Sequence, residues 1–253
     1  RLYVAAPSQW MMDKVHKSML SAAIVESRVV HTGIDLSVFC PAEKAGVRAR
    51  LDIPQDAKVL LFAGNGIRRN IWKDYKTMRT AVALLAARGR GQSLLFIALG
   101  EGAQDEQIGS ARIRFVPHLR NAKEIASYYQ AADVYIHAAA ADTFPRSVLE
   151  ALACGAPVVA TAVGGIPEQI RSLWNSSTVE ATGATGIVVP PQDAESMAVG
   201  IQTLLADDQL AKTMSENAAA DARQRFDLKK QAASYLDWYE HIVKTRREES
   251  RIR

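Results

Sequence analysis

The stretch Asp142-Thr-Phe-Pro-Arg-Ser-Val-Leu-Glu150-Ala-Leu-Ala-Cys-Gly-Ala-Pro-Val-Val-Ala-Thr161-Ala-Val-Gly-Gly165-Ile-Pro-Glu168 decides how this chain is read. Two carboxylates, at positions 142 and 150, bracket a turn that carries Pro145. A helix is predicted to start between them, to end at Gly155, and to hand over to the apolar strand 156–161. Thr143 or Asp142 can cap that helix, and Pro145 suits its first turn, where a missing N–H would be orphaned anyway. Free amides and the helix dipole at such a start favour an anion. Eight helical residues span about 12 Å at 1.5 Å each, so Asp142 and Glu150 can hold opposite ends of one elongated ligand. A nucleotide-sugar, with its sugar, diphosphate and ribose, has that shape.

Working outward, apolar runs of strand length recur at 2–6, 28–31, 58–63, 93–99, 112–116, 133–137, 156–161 and 185–189, between longer helical patterns. The central six fit the β-α alternation of a parallel sheet covered by helices on both faces, an α/β Rossmann-like architecture. Ligands of such sheets bind beyond the carboxyl ends of the strands. Gly64, Gly100-Glu-Gly102, Pro117-His118 and Asp142 all fall there. After residue 192 the pattern is helical to the end. Asp193 caps one helix, another follows from about 208, and a last one carries Tyr235, Leu236, Trp238, Tyr239, Ile242 and Val243.

The 142–168 segment resembles the acidic-x7-acidic signature of retaining glycosyltransferases of the GT-B fold, in the large bacterial group of glycosyl transferases that builds surface polysaccharides. The family pattern E-x-F-x-x-x-x-x-E-A-hydrophobic-A-x-G-x-P-V-V-A-T, then G-G-x-x-E, is met by Phe144, Glu150, Ala151, Gly155, Pro157, Gly164, Gly165 and Glu168. Asp142 stands where the family has Glu, one methylene shorter. Arg146 stands where relatives carry a small or amide side chain. Val4-Ala-Ala-Pro-Ser-Gln-Trp10 and Val29-Val-His-Thr-Gly-Ile-Asp-Leu-Ser-Val-Phe39 also resemble this family, the first closing its N-terminal domain and the second leading through the interdomain linker. The resemblance implies an organisation of 1–41 as a remnant of the acceptor domain and linker, 42–225 as the nucleotide-sugar-binding domain, and 226–253 as a helix returning toward the N-terminal domain. With no initiator Met and a start inside a strand, the chain reads as the later part of a longer enzyme.

Composition sets outer limits. The chain has 253 residues, 48% hydrophobic and 23% charged, ordinary for a globular domain. No run approaches the ~20 apolar residues that span a bilayer. The net charge of +4 is dispersed, apart from the tail Lys244-Thr-Arg-Arg-Glu-Glu-Ser-Arg-Ile-Arg253, which reads as a solvated helix end. Cys40 and Cys154 are isolated and fit a reducing compartment. The expected location is cytoplasmic, with peripheral contact at the inner face of the membrane left open. No nucleic-acid partner is expected.

A retaining transferase must hold a nucleoside diphosphate and stabilise the charge it gains as the sugar leaves, which fixed cations and amides can do without a metal. Gly64-Asn65-Gly66-Ile-Arg68-Arg69-Asn70-Ile-Trp72-Lys73 supplies candidates. The family places an Arg directly after this Gly and a Lys downstream, both on the diphosphate. Lys73 matches the Lys; Asn65 replaces the Arg, and Arg68 is taken over Arg69 as its substitute. Val116 begins the loop whose backbone reads the base in relatives, and His118 is expected to be exposed. The resemblance assigns Glu150 to the ribose hydroxyls, Asp142 to the sugar, and the amides of Phe144, Pro145 and Arg146 to sugar or phosphate oxygens, although a proline has no N–H and can offer only its carbonyl. Glu168 is read as a support for this loop. No cofactor or metal is expected.

These features point to transfer of a sugar from a nucleotide diphosphate-sugar to a hydroxyl of a glycan or lipid-linked acceptor, with anomeric configuration kept and the acceptor held by the N-terminal domain. Two other classes share the architecture: a nucleotide-binding module without transferase activity, and a nucleotide-sugar epimerase. A glycogen-type phosphorylase would need a pyridoxal-binding lysine context, and a nicotinamide dehydrogenase a full G-x-G-x-x-G fingerprint; neither is found.

Overall fold

The computed structural model describes residues 2–89, 93–174 and 183–252, the last four by their backbone alone. The main sheet holds β3 (Lys58–Ala63), β4 (Leu94–Leu99), β5 (Glu106–Ile108), β6 (Ala111–Val116), β7 (Val134–His137), β8 (Val158–Thr161) and β9 (Gly186–Val189), in the spatial order β5-β6-β4-β3-β7-β8-β9. Every pairing is parallel except β5 with β6. β4, β7, β8 and β9 are buried at every position, as strands covered on both faces must be. This is the expected Rossmann-like α/β sheet, mixed only at its edge.

Three assignments differ from expectation, the first being that the 185–189 run, outside the central six, joins the main sheet as β9 beside β8. The 28–31 run is outside the main sheet: β2 (Ile24–Val29) pairs only with β1 (Leu2–Ala6), in a separate parallel ribbon. The short edge strand β5 was not foreseen, because Glu106-Gln-Ile108 carries too little apolar pattern to register as a strand.

The flanking helices are α2 (Lys44–Arg50), α3 (Tyr75–Arg88), α4 (Ala122–Ala131), α5 (Arg146–Ala153), α6 (Ile166–Gln169), α7 (Ala194–Ala206) and α8 (Asp208–Arg225). Most begin at a side chain that accepts from a first-turn amide: Asp74 for α3, Asn121 for α4 and Asp193 for α7. α3 lies against α7, and α5 against α8. α1 (Gln9–His16) follows β1, and α9 (Leu228–Ile252) closes the described chain.

α9 packs one face on the ribbon. Trp238 is buried, its ring edge-on to Tyr3 at 6.5 Å and its Nε1 donating to Glu26 at 2.9 Å. Leu236, Tyr239 and Val243 stay exposed, so only part of the apolar side chains of this helix is packed internally. The basic tail beyond Glu248 has its side chains outside the described residues.

Candidate functional site

A cavity of about 550 Å³ opens at the carboxyl ends of β3, β4 and β7, lined among others by Asn65, Lys73, His118, Asp142, Arg146 and Glu150. Gly64 and Pro145 also line it. Its position follows from the topology, since loops leaving parallel strands converge on that rim.

Lys73 is delivered by a loop stitched to the segment after β7. Asp74 N donates to Ala138 O at 3.1 Å, Ala140 N donates to Trp72 O at 3.0 Å, and Lys73 bridges Ala139. That seam brings Lys73 Nζ to 2.7 Å from Asp142 Oδ2. His137, the last residue of β7, is fully buried beside the pair, with Nε2 3.4 Å from Lys73 Nζ and 3.5 Å from Asp142 Oδ2. Tyr135 OH lies 3.2 Å from the other ring nitrogen. Burial alone would raise the Asp142 carboxyl, but His137 and Lys73 hold its pKa down at about 2. Burial acts oppositely on His137, disfavouring its charged form and lowering its pKa against the pull of Asp142.

The Asp142 loop is fixed from the far side by close backbone contact. A Cβ on Gly164 would lie 1.6 Å from Asp142 O, and one on Gly165 2.0 Å from Thr143 O. Gly164 also has φ of +57°, which favours glycine. Gly165 N donates to Asp142 O at 3.3 Å.

α5 begins differently from expectation. Its N-cap residue is Pro145, and neither Thr143 nor Asp142 caps it, because the Asp142 carboxylate is turned to Lys73 and His137. The first-turn amides therefore have no side-chain acceptor and are left for water or a ligand. One helical stretch further, the half-buried Glu150 accepts from Tyr129 OH at 2.9 Å. Burial raises its carboxyl pKa, and the Tyr129 hydrogen bond and the Arg146 charge oppose that rise.

Other expected site residues lie elsewhere. The Phe144 ring is buried, stacked on His31 with centroids 5.1 Å apart and edge-on to Phe226, and so anchors the loop whose backbone amide was the expected contact. Val116 is buried too, its carbonyl taken by Gly100 N and Glu101 N. Arg68 is outside the cavity lining: Glu101 accepts from its Nε at 2.6 Å and its backbone N–H at 2.8 Å. Glu168 reaches across to α1, accepting from Gln9 N and Trp10 N at 2.8 Å each, which ties the first residues to the loop it follows.

Tyr129, Tyr135, His137 and Glu101 were not foreseen. The polar His137 closing the apolar run Val134-Tyr-Ile was the one available signal. Among the described residues no group of three or more His, Cys, Asp or Glu side chains could hold a metal ion. None of the described helices is long and apolar enough to cross a membrane.

The profile of the family named Glycosyl transferases group 1 matches residues 44–221, the stretch that builds the whole of this cavity. The chain belongs to that family. A curated relative, D-inositol 3-phosphate glycosyltransferase of Kineococcus radiotolerans, is 34% identical over 233 residues, covering 86% of this chain and 52% of the relative. The chain spans about half the length of the curated relatives it matches. Sucrose-phosphate synthase from Thermosynechococcus elongatus superposes with a TM-score of 0.75 at 26% identity, covering 96% of this chain and 59% of that one. The C-terminal domain of a group 1 protein from Francisella tularensis superposes with a TM-score of 0.60 at 20% identity, over 78% of this chain and 100% of that domain. At that identity the likeness is one of fold, that of the C-terminal half of a GT-B protein.

Proposed function

We propose that this chain is the donor-binding half of a retaining glycosyltransferase that moves a sugar from a nucleotide diphosphate-sugar to a hydroxyl acceptor in surface polysaccharide or glycolipid synthesis. One observation carries the reading: the Lys73–Asp142 pair and Glu150 face a single cavity at the carboxyl ends of the strands, in a group 1 family domain. The curated relatives named D-inositol 3-phosphate glycosyltransferase support a hydroxyl acceptor. Glu150 accepts from the ribose hydroxyls, Lys73 meets the diphosphate, and Asp142 orients the sugar. Lys73 and Asp142 neutralise one another at the cavity wall, and a donor replaces that ion pair with two separate contacts. Arg68, paired with Glu101 and outside the cavity lining, would have to leave that pair to reach the diphosphate.

The acceptor is held by a part of the longer relatives outside the stretch matched here. The test is calorimetry of the chain with UDP, GDP and ADP, followed by Asp142→Asn in a full-length protein with its donor. Binding of at least one nucleotide is expected, and the substitution is expected to lower turnover with little change in donor affinity. No binding at millimolar nucleotide, or unchanged turnover in Asp142→Asn, contradicts the reading.

A further inference from the structure

The cavity's charges do not yet suit a diphosphate. Its lining carries two carboxylates, Asp142 and Glu150, and two permanent cations, Lys73 and Arg146. Lys73 is committed to Asp142 at 2.7 Å. Glu150 is engaged by the Tyr129 hydroxyl. Asn65, at the position where the family resemblance expects arginine, is neutral. Arg68 is bound twice over by Glu101 and lies outside the lining.

Arg146 differs from each of these. It is the first residue of α5, exposed, and on the cavity wall between Pro145 and Ser147. Among the described residues its guanidinium has no hydrogen bond and no ion pair within 4 Å; it acts on Glu150, four positions along, through charge alone. A guanidinium is planar and always charged, and its donors match two phosphate oxygens at once. An exposed arginine elsewhere on a helix would be explained by solvation. This one stands on the wall of a concave site between the two acids that flank the donor, in a cavity otherwise short of an uncommitted cation.

We propose that the Arg146 guanidinium binds the diphosphate of the donor and does the work that Asn65 cannot do at the usual arginine position. The inference rests on the donor-site reading above and sharpens it: the anion is gripped from the α5 side of the cavity, with Lys73 on the other.

Calorimetry on this chain tests it, with UDP, GDP, ADP and the three corresponding nucleosides as probes, for the unaltered protein and for Arg146→Gln, Arg146→Lys, Arg68→Gln and Arg223→Gln. Arg223 is an exposed arginine on α8, outside the cavity lining, and reports the effect of net charge alone. For the diphosphate that binds best, Arg146→Gln is expected to weaken binding about 10- to 100-fold, the usual size of a lost charge-assisted hydrogen-bonded pair. Arg146→Lys should recover part of the loss, nucleoside binding should stay within about twofold, and Arg223→Gln should match the unaltered protein.

Unchanged diphosphate binding in Arg146→Gln overturns the proposal. So does an equal loss for nucleoside and diphosphate, which would put Arg146 on the ribose or base, and so does a larger loss in Arg68→Gln. If the unaltered chain binds none of the three nucleotides, the donor-site reading fails first and takes this proposal with it.

Discussion

Strand β7 is flanked by a half-buried acid on either side, and the two are used differently. Asp133, just before the strand, is saturated: it accepts from Arg48 Nη2 at 2.8 Å, Lys44 Nζ at 2.9 Å and Val59 N at 2.7 Å. Arg48 is equally spent, its remaining donors on the carbonyls of Ala131, Gln55 and Ala57. Asp142, beyond the strand's other end, has Lys73 and His137 on one side and the cavity on the other. A carboxylate met by three protein donors fastens α2 and the loop before β7 to the sheet. A carboxylate held by two neighbours and facing the larger cavity retains capacity for a ligand. Each rim carries a cavity, about 290 Å³ beside Asp133 and about 550 Å³ beside Asp142, and only at the first is the acid filled by protein donors.

Removal of Asp133 should have the greatest consequence. Asp133→Ala leaves the buried Arg48 uncompensated and should cost about 3–5 kcal/mol of stability, measured as a shift of the urea midpoint. A cost under about 1 kcal/mol, the size of an exposed pair, would erase the contrast. At the larger cavity, Glu150→Gln should weaken nucleotide binding by about 1.5–3 kcal/mol, the scale of a hydrogen bond to a charged group, with the urea midpoint little changed. Equal losses in stability and affinity would make Glu150 a structural acid like Asp133.

The pH dependence of the Asp142 pair sharpens the same point. Its folded pKa of about 2 is depressed from an ordinary 3.8, so its contribution is present above about pH 4 and disappears as pH falls toward 2. The difference amounts to about 2 kcal/mol at 1.36 kcal/mol per pKa unit. Urea titrations between pH 2 and 5 should show this increment in the unaltered chain and not in Asp142→Asn; identical curves would remove the depressed carboxyl. The smallest effect is expected for Tyr129→Phe, at about 1 kcal/mol of stability. It should also raise the Glu150 carboxyl pKa further, which an NMR titration of that side chain would detect.

The contrast also separates what the sequence could convey from what it could not. The α5–β8 unit was legible because Asp142, Glu150, Gly155 and the Val158–Thr161 run follow one another in the chain, each marking a local event. Lys73 was legible by its place after β3. The motif gives the place of Phe144 in the loop but not the direction of its ring, which turns to His31 and Phe226 from distant parts of the chain. His137 and Tyr129 gain meaning only when β7 and α4 bring them beside Asp142 and Glu150. Arg68 looked available because Glu101, 33 positions away, is invisible as its partner in a linear reading. The edge strand β5 and the β1–β2 ribbon were missed or misplaced because partner choice between strands is a long-range property.

Gly164 and Gly165, pressed onto the backbone of Asp142 and Thr143, limit how this site can be altered or borrowed. The Asp142 loop and the loop after β8 are effectively one moulded part with its mating surface supplied from the other side. Grafting residues 142–150 onto another group 1 scaffold would carry over the two acids but leave their backing plate behind. A donor-site swap between relatives should therefore be cut before 142 and after 168, so that both halves of the mould travel together.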